Sequence, residues 1–203
     1  MRIYFNPRLA ILVALVMTMA FETVDAQDLH PSRRLSPIGI ARTHIGDTYV
    51  KVTYGRPYVR GRAIFGANTD STTFLVPFGQ IWRTGASEST EITVTGPVML
   101  AGNHLDPGTY SIYTEPGPDA WVVHISPQLG LDGTGIFNQE TGVFTPDVYQ
   151  ANNDVFAVTL PVHMLAEDET ADPFTISLEE SKSGADMVMR WEQTEVRAPI
   201  RVH

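Results

Sequence analysis

Cysteine is absent from the 203 residues. That excludes a disulfide framework, a thiol nucleophile, a zinc–thiolate or iron–sulfur site, and a lipid anchor on an N-terminal cysteine. Lysine is nearly absent as well: Lys51 and Lys182 stand against twelve arginines. Arginine is therefore the default cation of this chain, and a single arginine does not by itself mark a guanidinium-specific site. Long apolar runs are missing too. The longest, Leu9–Phe21, has thirteen residues, short of the roughly 20 that a membrane span needs. No transmembrane segment is expected in the mature chain. Positive charge is in deficit, with 14 basic residues against 23 acidic ones and a formal charge of -9. An acidic surface repels phosphate backbones and anionic lipid, which argues against a nucleic-acid partner.

Motifs that carry known chemistry are also scarce. No HExxH occurs, and the six histidines lie singly, without the i, i+2 or i, i+4 spacing that seats zinc. Gly85-Ala86-Ser87-Glu88-Ser89 misses the nucleophile elbow at its last position and has no βαβ surroundings. Asp132-Gly133-Thr134-Gly135 lacks the alternate-position ligands of an EF-hand loop. Neither a metal nor a cofactor is expected.

What is present begins with an address. Arg2 and Arg8 precede the apolar run, and Val24-Asp25-Ala26 offers small residues for cleavage before Gln27. Residues 1–26 read as a secretory signal peptide, 27–35 as a polar leader and 36–203 as the folded domain. The expected location is periplasmic or secreted.

Period-two alternation dominates the rest. Val50, Val52 and Tyr54 share one face, as do Thr90, Ile92 and Val94; Trp121, Val123 and Ile125; Phe174, Ile176 and Leu178; Met187, Met189 and Trp191; and Val196, Ala198 and Ile200. Sixteen glycines and 14 prolines punctuate these runs, and no long amphipathic helical stripe is found. The pattern predicts an all-β fold, a single antiparallel β-sandwich of about eight or nine strands. Gln128–Asn153 is the least regular stretch and reads as a long loop. Glu167-Asp168-Glu169 reads as a solvated loop.

Two segments carry unusual residue choices. Arg56 and Arg62, with Arg60 between them, follow Tyr54 in an otherwise acidic protein. Trp82 and Arg83 precede Glu88 and Thr90. Arginine grips carboxylate or phosphate bidentately, and Trp and Tyr offer flat surface for a ring. Tyr54, Arg56, Arg62, Trp82, Arg83, Glu88 and Thr90 are therefore the candidate ligand-binding set. The competing reading is architectural, with Arg83 and Glu88 paired across a turn and the tryptophans in the core.

The same segments resemble a family. Tyr54-x-Arg56-Pro57, Gly61-Arg62-x-Ile64-Phe65-Gly66, Val76-Pro77-Phe78-Gly79-x-Ile81-Trp82-Arg83-Thr84-Gly85-Ala86, Pro107-Gly108-Thr109-Tyr110-Ser111 and Trp191-Glu192-x-Thr194 look like domain-of-unknown-function 2911. The likeness runs from about Ser36 to Ile200. It departs at Ser87, where the family pattern suggests Asn, and at Ala67–Phe74, which is longer than the usual connection. The resemblance implies a secreted bacterial protein of the Bacteroidetes type with one domain, and it brings no activity with it. Three functions fit the residues. The first is an exported module binding a small anionic or sugar-like ligand through the Arg/Trp cluster. The alternatives are a structural or interaction module of the cell envelope, and a hydrolase using Glu88 with Arg56, Arg62 and Arg83.

Overall fold

Alternating side chains with frequent turns can bury one face only by packing sheet on sheet, and the computed structural model is built in that way. It describes residues 34–67, 73–138 and 140–202; the expected signal peptide and nearly all of the polar leader lie outside them. The strands are β1 (Ile38–Ile45), β2 (Thr48–Gly55), β3 (Phe65–Gly66), β4 (Val76–Pro77), β5 (Thr90–Val94), β6 (Val98–Leu100), β7 (Asn103–Leu105) and β8 (Gly108–Glu115). They continue with β9 (Ala120–Ser126), β10 (Ile136–Asn138), β11 (Val143–Thr145), β12 (Phe156–Met164), β13 (Ala171–Ser181), β14 (Gly184–Glu192) and β15 (Thr194–Val202). Among the described residues there is no α-helix, only single 3-10 turns at Ala151–Asn153 and Glu167–Glu169.

Nine strands follow one path, β1-β2-β5-β8-β9-β12-β15-β14-β13, and the β6–β7 hairpin joins it through β15. This is the expected antiparallel sandwich; nine strands lie on the path and eleven make up the whole sheet. The small β3–β4 pair is parallel and stands outside it, as does the β10–β11 hairpin. β12 turns the path from one layer to the other. Phe156 to Pro161 pair with β9, and Val162 to Met164 pair with β15. Pro161 falls at the changeover, a place where a missing N–H costs the ladders least. The two ends of the path then meet face to face. The Tyr54 hydroxyl donates to the Ile176 carbonyl at 3.0 Å, and the Phe174 amide donates to the Pro57 carbonyl at 2.9 Å. No ladder joins β1 to β13, so the sheet is folded over rather than closed into a barrel.

The predicted faces supply the core. Val50, Val52, Ile92, Val94, Met187, Met189, Trp191, Val196 and Ile200 are all buried in a single cluster. At its centre Trp82 stacks on Trp191 with centroids 5.7 Å apart and meets Trp121 edge-on at 5.9 Å. Phe65 and Phe174 close the group. Gln128–Asn153 is less irregular than expected, since it holds the β10–β11 hairpin. Its end is pinned by Tyr149, whose ring stacks on Tyr113 at 4.0 Å and whose hydroxyl donates to Asp154 at 2.7 Å.

Candidate functional site

The Trp82–Thr90 segment is a corner held from within. The Trp82 amide and carbonyl exchange hydrogen bonds with Thr114 (2.7 and 2.8 Å), and its indole N–H donates to the Gly85 carbonyl at 3.0 Å. The Thr90 hydroxyl, fully buried, donates to the Thr84 carbonyl at 2.7 Å. Thr84 adopts φ 55° and Ser87 φ 63°, a left-handed conformation that β-branched threonine reaches only where its surroundings enforce it. Gly85 and Gly55 let two backbones touch: a Cβ on Gly55 would lie 2.1 Å from the Ala86 carbonyl oxygen. Trp82 and Thr90 are thus internal to the scaffold.

The other candidates divide among separate places. Tyr54 is buried at the seam, its hydroxyl raised above the usual phenol range by burial. Arg56 reaches across the same seam to the Thr175 hydroxyl at 3.2 Å. Arg62 is exposed and turns back on its own loop, donating to the Val59 and Tyr58 carbonyls. Glu88 pairs with Arg34, its oxygens both 2.7 Å from Nη1, rather than hydrogen-bonding to Arg83. Partial burial works to raise the Glu88 carboxyl, but Arg34's hydrogen bond and charge, with that of Arg83, outweigh it and hold it below the usual range. A group held ionised in this way is poorly suited to donate a proton. Arg83 keeps a buried Nε with no hydrogen-bond partner, beside Gly133, whose added Cβ would lie 2.7 Å from Nη1.

The well-formed concavity lies elsewhere. A cleft of about 800 Å³ opens where the Val59 loop, the Gly117–Pro118 turn, the end of β12, the start of β13 and the β14–β15 turn converge. Its lining includes the aromatic residues Phe65, Phe78 and Trp121 and the acidic residues Glu167, Asp172 and Glu192. Glu192 occupies the tight turn with φ 50°, a left-handed position that glycine would fill without strain. Its neighbour across the ladder is Ala171, which places Asp172 beside it. Burial and the Asp172 charge together push the Glu192 carboxyl above the usual range. Asp172 is fixed by the Val59 amide, which donates to Oδ1 at 2.9 Å. None of the three carboxylates forms an ion pair among the described residues, and no three His, Asp or Glu side chains there come together as a metal-binding set.

None of the seven candidate residues lines this cleft, although Phe65 and Phe78 come from the same motif strings. Glu192 was visible only as part of the Trp191-Glu192-x-Thr194 string. Asp172 carried no signal, because its place beside Glu192 depends on the β13–β14 register, which sequence spacing does not report.

Fold and cleft together define an all-β sandwich protein with a carboxylate-rimmed, aromatic-lined pocket at one end. Residues 36–200 match the family described as protein of unknown function (DUF2911), and the chain belongs to that family. No curated protein and no solved structure matches it. Among the described residues no helix is long and apolar enough to cross a membrane.

Proposed function

We propose that this chain is an exported binding module, its residues 1–26 removed on export and its 36–203 sandwich taking a small, sugar-like ligand in the cleft. The observation that carries the reading is the cleft itself: about 800 Å³, with both aromatic rings and oxygen acceptors in its lining. Small-ligand sites have that volume and that mixture of apolar wall and few polar groups. Phe78, half-buried at the wall, offers surface on which a sugar ring can lie. Thermal unfolding of the chain with a panel of neutral and amino sugars tests it. A ligand that binds only the folded state stabilises by about 2.7 kcal/mol at a hundred times its dissociation constant. Phe78→Ala should abolish the response while keeping the unliganded midpoint within a few degrees. A panel that shifts nothing overturns the reading.

A second reading keeps the arginines. The buried, unpartnered Nε of Arg83 favours an anion at that corner. Dicarboxylates and phosphate esters in the same scan, against wild type and Arg83→Ala, test it. An anion that stabilises wild type but not the variant would move the site from the cleft to the corner. A midpoint that falls sharply in Arg83→Ala with no anion response makes Arg83 part of the scaffold, as an envelope structural module would require.

A further inference from the structure

The cleft has a charge that nothing in the described structure balances. Its lining includes Glu167, Asp172 and Glu192 but no lysine, arginine or histidine. The arginines nearest in sequence are engaged elsewhere: Arg62 donates to the Tyr58 and Val59 carbonyls, Arg60 to the Leu35 carbonyl, and Arg190 to Glu179 and Glu195. Asp172 is held in place by one backbone amide, and Glu192 sits beside it at the turn. The lining also includes the half-buried rings of Phe65 and Phe78, with the buried Trp121 packed against Phe65. Carboxylates and aromatic rings are the two kinds of group that attract a cationic nitrogen, one by charge-assisted hydrogen bonds and the other through the ring quadrupole. A metal ion needs a converging set of at least three ligands, and the described residues form none. A neutral sugar or an anion would leave the paired negative charges uncompensated.

We propose that the cleft selects a ligand bearing a positively charged nitrogen, an organic ammonium ion of sugar size, held by the Asp172 and Glu192 carboxylates and the aromatic rings of the lining. This rests on reading the cleft as the ligand site and narrows the ligand class within it.

Pairs of probes that differ only in charge provide the test. Calorimetric titration of the full chain would compare glucosamine with glucose, and choline with its uncharged carbon analogue 3,3-dimethylbutan-1-ol. The cationic member of a pair should bind at least about tenfold more tightly than the neutral one, a difference of about 1.4 kcal/mol. Glu192→Gln should remove most of that preference. Asp172→Asn should do the same, since its amide oxygen can still accept from the Val59 amide; circular dichroism confirms that both variants fold. Equal binding of charged and neutral partners, or a preference unchanged in both variants, overturns the proposal while the cleft remains a binding site. If no cationic or neutral probe binds, and Phe78→Ala changes nothing, the cleft reading falls with it.

Discussion

Thr90 shows how little slack the Trp82–Thr90 corner has. Its buried hydroxyl is hydrogen-bonded to the Thr84 carbonyl, and Thr84 is itself fully buried in a left-handed conformation. Thr90→Val keeps the shape and deletes the donor, leaving a buried carbonyl unsatisfied. The expected loss is about 1–3 kcal/mol in urea unfolding, with no change in ligand response at the cleft. Gly55→Ala should be worse, because the new Cβ meets backbone rather than a mobile side chain. A loss of about 3 kcal/mol or more is expected, and a stability within 1 kcal/mol of wild type would show that the two segments do not touch. The residues that looked most like a site in the sequence are mostly this corner. Trp82 and Thr90 stood out because a tight corner with left-handed backbone at Thr84 and Ser87 demands particular side chains as strictly as a ligand does. Sequence alone does not separate the two demands.

At the scale of elements, the outer face of β13–β14–β15 carries a lattice of charge. Glu195 accepts from both Arg190 and Arg197, and Glu179 accepts from the same two arginines at 2.7 and 3.0 Å. Val188 sits between Ser177 and Arg197 in the register and is fully buried although it faces away from the core. Its register neighbour Arg197 has the long apolar stem that can cover such a position. Arg197→Ala should therefore cost more than a surface ion pair, about 1–2 kcal/mol, through lost packing as well as lost charge. Arg197→Met restores the stem but not the charge and should recover part of that loss; no recovery would assign the whole effect to charge. Strands of this kind were legible, since β2, β5, β9, β14 and β15 alternate cleanly. Two others were not. In β1 the large residues Ile38 and Ile40 face outward, while Gly39 faces inward because the Tyr54 ring fills its place. In β12 Pro161 interrupts the run where the strand changes layers. Both exceptions come from tertiary packing, which a period of two does not encode.

For the whole molecule, acid should act in two stages of opposite sign. Glu192 has its folded carboxyl raised, by burial and then by the Asp172 charge. Its penalty is therefore present at neutral pH and relieved as pH falls through that raised value. Glu179 and Glu195 behave oppositely. Burial works to raise them, but the hydrogen bonds and charges of Arg190 and Arg197 win and hold both low, as Arg34 does for Glu88. Their stabilisation is complete above the ordinary glutamate range and is lost as pH falls through the depressed values. Screening of these partly exposed groups keeps each contribution near or below about 1 kcal/mol. The unfolding midpoint should accordingly rise slightly from pH 7 to about 5 and then fall below about 4. In Glu192→Gln the midpoint at pH 7 should start higher and the rising limb should vanish, while the fall in acid stays. A wild-type profile with no rising limb would mean that Glu192 already has a compensating positive charge. That would remove the imbalance on which a cationic ligand depends, so the same titration bears on both the stability of the sandwich and the chemistry of its cleft.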